Sequence, residues 1–202
     1  MGINPSIKAV IFDLDGTLVD LPIDWEAVKY QAGKRADQSF GDRVEELIDA
    51  NNSEILQRIA DHEMASLDKA HISSEIAKVL SELDHTYRLA ILTRNSRQVA
   101  ERFLELCGIN SQRYLIVGRE DISRLKPHPE GLEIILKQLH INPSEAVMVG
   151  DTFHDTELAH QNGLYSVLVG NKTEAKHSDK AFQADNLSDV VAIIHNINKE
   201  EA

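Results

Sequence analysis

Asp13 and Asp15 stand two residues apart at the end of the apolar run Val10-Ile11-Phe12, and Gly16 and Thr17 follow them. Strand alternation turns both carboxylates to one side. Two carboxylates held together at the end of a buried strand repel each other, and a cation between or beside them relieves the cost. A hard ion such as Mg²⁺ takes oxygen ligands and keeps positions open for phosphate oxygens. Gly16 permits a tight turn, and the N–H groups after it could cradle phosphate. An ordinary strand closed by an Asp-Gly turn would explain Asp-Gly alone. It does not explain two acids, a glycine and a threonine in this order after an apolar run.

Polar residues recur after later apolar runs. Tyr87-Arg88-Leu89-Ala90-Ile91-Leu92 leads into Thr93, Arg94 and Asn95. Tyr114-Leu115-Ile116-Val117 leads into a loop holding Arg124, Lys126 and His128, and Ala146-Val147-Met148-Val149 into Gly150-Asp151 and then Asp155. Amphipathic stretches separate these runs, and Tyr165–Val169 reads as a further strand. Such alternation predicts a doubly wound, Rossmann-like parallel sheet of the α/β class, with helices on both faces. Ligands bind such sheets outside the carboxyl ends of the strands. Topology therefore gathers two acids, a hydroxyl, a lysine and two more acids at one edge. Singly, several have ordinary readings. Lys126 alone would be a solvated charge, Asp155 an acid favoured at a helix N-terminus, Asn95 a helix cap, and Arg94 a solvent-facing cation.

Residues 21–71 lack a strand pattern. Asp24 is suited to cap a helix beginning at Trp25, and Trp25, Val28, Ala32 and Ala36 share a stripe. Val44, Leu47 and Ile48 form a second stripe, and Ile55, Leu56, Ile59 and Met64 a third. This predicts a helical module inserted after the first strand, with a core of 1–20 and 72–202. Trp25 is expected to pack inside that module. Helix ends are marked by Ser73 or Ser74, Asn95 or Ser96, Gly108, Pro129, Asn162-Gly163 and Ser188, with a short helix over 155–161. Residues 171–180 read as a polar surface loop.

The chain has 202 residues, 42% of them apolar, enough for a full core. A net charge of −12 argues against a broad nucleic-acid or anionic-membrane surface. No apolar run approaches a membrane span, and Met1-Gly2-Ile3-Asn4-Pro5 has no signal-peptide pattern, so a cytoplasmic protein is expected. Cys107 is the single cysteine and cannot form an internal disulfide. It reads as a buried helix residue.

Asp13-Leu14-Asp15-Gly16-Thr17 resembles the nucleophile motif of the haloacid dehalogenase superfamily of phosphohydrolases. Thr93 stands where that family has its second-motif Ser or Thr, Lys126 in Leu125-Lys126-Pro127 resembles the third motif, and Gly150 to Asp155 the fourth. The resemblance runs in order over nearly the whole chain, and the 21–71 segment resembles a short helical cap. It implies a phosphatase acting on a small phosphorylated substrate, in which Asp13 attacks phosphorus and Asp15 exchanges protons. Mg²⁺ would be held by Asp13, the main-chain carbonyl of Asp15, and Asp151. Thr93 and Lys126 would grip the phosphoryl oxygens, Asp155 would support Lys126 or a metal-bound water, and Gly16, Arg94 and Asn95 would touch substrate. The pattern looks like the phosphoglycolate-phosphatase-like branch. A phosphomutase resembling β-phosphoglucomutase and a phospho-aspartate switch module are the competing readings. Oligomeric state is open.

Overall fold

The computed structural model describes residues 6–170 and 179–200. Its apolar runs become six strands: β1 (Ala9–Phe12), β2 (Arg88–Leu92), β3 (Leu115–Val117), β4 (Ala146–Gly150), β5 (Tyr165–Val169) and β6 (Ala181–Ala184). They form one sheet in the order β3-β2-β1-β4-β5-β6, with every pairing parallel. β1, β4 and β5 are buried along their whole length. Parallel strands covered on both faces read as continuous apolar runs rather than alternating ones.

Five helices cover the sheet: α4 (Ser74–Asp84), α5 (Arg97–Leu106), α6 (Glu130–Leu139), α7 (Phe153–Asn162) and α8 (Leu187–Glu200). The first packs on β2 and α8, α5 on β3, α6 on β2 and β3, α7 on β4 and β5, and α8 on β5 and β6. Ser73 caps α4, its hydroxyl accepting the Glu75 N–H at 3.2 Å. Gly163, at φ 79°, ends α7 in the left-handed conformation that glycine adopts without penalty.

Some boundaries differ from the sequence reading. Of the two cap candidates before α5, Ser96 occupies the cap position, without a side-chain capping bond. At α8 the capping oxygen comes from Asn186, which accepts the N–H groups of Ser188 and Asp189 at 2.9 and 3.2 Å. The helix after β4 starts at Phe153, which puts Asp155 inside its first turn. Of the expected 171–180 loop, residues 171–178 lie outside the described residues. β6 was not anticipated, because this partly exposed edge strand has no apolar run.

Three helices follow β1: α1 (Trp25–Gln31), α2 (Phe40–Asp49) and α3 (Ser53–Leu67). Asp24 caps the first by accepting the Ala27 N–H at 3.1 Å. Ser39 and Asp42 cap the second reciprocally, at 3.0 and 3.3 Å. The first helix ends at Gln31, so Ala36 does not continue its stripe. In this insertion α3 packs on α1, α2 and α5. The loop after β3 is stitched to α2. Glu45 accepts the Leu125 N–H at 2.8 Å, and Arg124 reaches Asp49 at 3.0 Å.

The strand ends are level where the polar residues begin. Phe12 lies opposite Ile91 of β2 and Val149 of β4. Asp13 N–H donates to Val149 O at 2.8 Å, and Thr93 N–H to Val117 O at 3.0 Å. The chain builds outward from β1 on one side and then, from β4, on the other. The β1–β4 crevice is therefore the topological switch point. Among the described residues no helix is long and apolar enough to cross a membrane.

Candidate active site

Asp13 enters the crevice directly from β1. Its Oδ1 accepts the Leu14 N–H at 2.7 Å and lies 2.9 Å from Lys126 Nζ. The same ammonium donates to Asp155 Oδ1 at 2.6 Å. Asp155 uses its other oxygen to accept from the N–H and hydroxyl of Thr152, at 3.2 and 2.7 Å. Both readings of Asp155 therefore hold in the structure: it caps a helix, and it holds Lys126. All three side chains are buried.

Asp13, Asp151 and Asp155 offer carboxylate oxygens within 4.8 Å of one another. Three buried carboxylates with an all-oxygen donor set fit a hard divalent cation. Two glycines make the room. A Cβ on Gly16 would overlap the Asp151 carboxylate, and one on Gly150 would overlap that of Asp155. Gly16 also sits at φ 84°, which disfavours any side chain. At position 15 the expected ligand is the main-chain carbonyl, so its side chain is not required in this cluster. The Asp15 carboxylate lies outside it and accepts the Leu21 N–H at 2.9 Å, while Asp155 lies within it.

Burial pushes Asp13 up to about 7; Lys126 opposes this and Asp155 adds to it. Burial likewise raises Asp15 to about 6, with the Leu21 N–H opposing and Asp151, Glu63 and Asp20 adding. For Lys126, burial would lower the pKa, but the two carboxylates outweigh it and hold the ammonium charged. Raised carboxyl pKa values favour folding while the groups are protonated. That contribution is complete below about 4 and is lost as pH climbs through 6 and 7. Cation-free protein is thus expected to melt at a lower temperature at pH 8 than at pH 5, as far as these two groups decide it. Mg²⁺ at about 100 times its Kd should add about 2.7 kcal/mol, or about 5–11 °C in a chain of this size. The gain should be larger at pH 8 than at pH 5. Thermal melts with Mg²⁺ and with chelator measure this; equal melting curves would remove the cation site.

Thr93 is buried after β2. Its hydroxyl donates to Asn95 Oδ1 at 2.9 Å and accepts the Asn95 N–H at 3.1 Å. Asn95 thus fixes the Thr93 hydroxyl in place. Arg94 passes beneath α2, so close that a Cβ on Gly41 would overlap its guanidinium. Above these residues a cleft of about 540 Å³ separates the insertion from the sheet edge. Asp13, Asp15, Trp25, Phe40, Arg94 and His154 are among its walls. Trp25 does not pack inside the insertion as expected. It meets Phe40 edge-on at 5.5 Å and keeps 37% of its surface exposed.

A family model described as haloacid dehalogenase-like hydrolase matches residues 10–169. The chain belongs to this family. Similar curated proteins include two named pyrophosphatase PpaX. The one from Bacillus cereus is 26% identical, with 96% of this chain and 99% of that protein covered. The one from Oceanobacillus iheyensis is 24% identical, with 94% and 97% covered. Similar solved structures include a HAD-superfamily hydrolase of subfamily IA, variant 1, from Geobacter sulfurreducens, with TM-score 0.68, 18% identity, and 93% and 100% coverage. CbbY from Rhodobacter sphaeroides in complex with phosphate has TM-score 0.69, 18% identity, and 91% and 96% coverage. These structures share the fold. The chain is an enzyme, a haloacid dehalogenase-like hydrolase.

One pair of residues in this haloacid dehalogenase-like site escaped the sequence reading. Arg119, after β3, donates to both oxygens of Glu63 on α3, at 2.8 and 2.6 Å. Glu63 also accepts the Ser96 N–H at 3.0 Å, and Arg119 donates to Arg94 O at 3.2 Å. Both side chains are buried and line the cleft. The pair ties the insertion to the loop that carries Thr93. The available signal was an acid on the apolar face of α3, beside buried Ile59, Ala60, Ser66 and Leu67.

Proposed function

We propose that this hydrolase is a Mg²⁺-dependent phosphatase that cleaves a small phosphorylated substrate through an aspartyl-phosphate on Asp13, with residues 21–71 as its cap. The observation that carries the reading is the buried Asp13–Lys126–Asp155 chain beside Asp151, at the switch point of the sheet. An Asp13 oxygen attacks phosphorus while the bond to the leaving oxygen breaks, and protonated Asp15 gives that oxygen its proton. Asp15 then takes a proton from the water that attacks the aspartyl-phosphate, and inorganic phosphate departs. Lys126 and the Thr93 hydroxyl hold the phosphoryl oxygens as charge builds on them. Mg²⁺, held by Asp13, Asp151 and the Asp15 carbonyl with Asp155 alongside, would neutralise charge on nucleophile and phosphate. The pyrophosphatase relatives extend the substrate range to a phosphoanhydride, which breaks by the same displacement. The net charge and the single cysteine accord with a cytoplasmic enzyme.

The test is phosphate release from a panel of small phosphomonoesters, with Mg²⁺ and with chelator. Turnover that needs the cation is the expected result. No turnover, together with a persistent phospho-enzyme from acetyl phosphate, would overturn it in favour of a switch or a mutase. The role of Asp15 has its own signature. The protonated fraction of a carboxyl at about 6 falls tenfold per pH unit above that value. The value of kcat/KM should fall with it on the alkaline side. Asp15→Asn should remove that limb and lower the rate by about 10²–10⁴-fold. A wild-type profile that stays flat from pH 6 to pH 9 would take the proton-transfer role away from Asp15.

A further inference from the structure

The cleft contains hydrogen-bond donors that the protein itself does not use. Arg94 forms no side-chain hydrogen bond or ion pair among the described residues, although its guanidinium is confined beneath Gly41. Arg119 is 1% exposed, and its Nε has no hydrogen-bond partner. The Glu120 carboxylate stands 3.9 Å from that atom, beyond hydrogen-bonding reach. His154 Nδ1 is likewise buried without a partner. All three side chains line the same cleft as Asp13 and Asp15. A buried donor left without a partner costs free energy that a ligand can return. Guanidinium groups pair with carboxylates and phosphates through two parallel N–H groups. The transferring phosphoryl group already has Lys126 and Thr93 in the reading above, so these donors are surplus to it. A cleft of about 540 Å³ also holds far more than one phosphoryl group.

We infer that the leaving group of the substrate carries a second anion, a carboxylate or a second phosphate, bound at the half-buried guanidinium of Arg94. This deepens the phosphatase reading and rests on it. Arg94 then sets specificity: it reads the part of the substrate that leaves, while Lys126 and Thr93 read the part that is transferred. Trp25 and Phe40 form the cap-side wall against the body of that leaving group. A neutral leaving group of similar size leaves the guanidinium unpaired and is selected against, because a site built to bond a polar group rejects the analogue lacking it.

The experiment compares substrates in matched pairs with Mg²⁺ present. Phosphoglycolate against ethyl phosphate isolates a carboxylate. Ethylene glycol bisphosphate against 2-hydroxyethyl phosphate isolates a second phosphate. Wild-type kcat/KM is expected to favour the anionic member of at least one pair by about 10–100-fold, the range of a charge-assisted hydrogen bond. The preferred pair identifies the anion. In Arg94→Met that ratio should fall toward one, mostly through KM, and in Arg94→Lys part of it should remain. Phosphate release that is equal within each pair, or an Arg94→Met variant that loses both members in proportion, would overturn this inference and leave the phosphatase reading standing. Failure to release phosphate from any ester would strike the phosphatase reading itself.

Discussion

Asp13→Asn is expected to lower Mg²⁺-dependent phosphate release by about 10⁴-fold or more, the scale of losing a nucleophile that works within a concerted group. An amide nitrogen or oxygen cannot stand in for the carboxylate that bonds phosphorus. The fold should survive the change. Lys126 keeps Asp155 at 2.6 Å as a partner, and the lost carboxyl is one that burial already disfavours in its charged form. The melting temperature of the cation-free variant should therefore match or exceed that of wild type at pH 8. Phosphate release and thermal melts on the same preparation check both halves. Activity within tenfold of wild type would show that another group attacks phosphorus. A collapse in stability would show that Asp13 is chiefly structural.

The second large effect concerns stability rather than chemistry. Glu63 and Arg119 have side chains only 2% and 1% exposed, bonded through both carboxylate oxygens. Removing one member of such a pair strands the other's charge, at a cost of about 3–5 kcal/mol. Glu63→Ala should thus lower the melting temperature by about 6–20 °C. It also frees the Ser96 N–H, which Glu63 holds at 3.0 Å. The double variant Glu63→Met with Arg119→Met should regain much of the loss, because apolar replacement of a whole buried pair is often near neutral. Thermal denaturation of the single and double variants decides this. A single variant as stable as wild type would mean that water reaches the pair in solution.

The legible parts of the molecule were those in which one residue type answers one local demand. β1, β4 and β5 are continuous apolar runs because they are covered on both faces. Asp24, Ser73 and Gly163 stand where a helix end needs an acceptor or a left-handed residue. Asp13, Thr93 and Asp151 were legible because each directly follows a strand whose neighbours bring it level with the others. What escaped depends on distance through space. Glu63 and Arg119 lie 56 positions apart, and in the sequence each is one charge among many. Asp155 was expected to support Lys126, which it does at 2.6 Å, but its approach to Asp151, with Gly150 leaving room for its carboxylate, was not visible in the sequence. Trp25 follows the apolar stripe of α1, yet it lines the cleft beside Phe40 of α2. β6 gains its partner from β5 alone and needs no apolar run to do so.

The order of strands divides labour in the enzyme. Asp13, Asp151 and Asp155 belong to β1 and to β4 with the helix after it, whereas the insertion meets the loops beyond β2 and β3 through Ser96, Arg119 and Leu125. The carboxylates of the proposed mechanism thus come from one half of the crevice, while Thr93, Lys126 and the contacts to the insertion come from the other. Lineages of this architecture can drift in what they accept by altering α1–α3 and two loops, without passing through a form that has lost its acids. The same separation offers engineers a route to exchange the insertion and retune selectivity while the acids, Thr93 and Lys126 stay fixed.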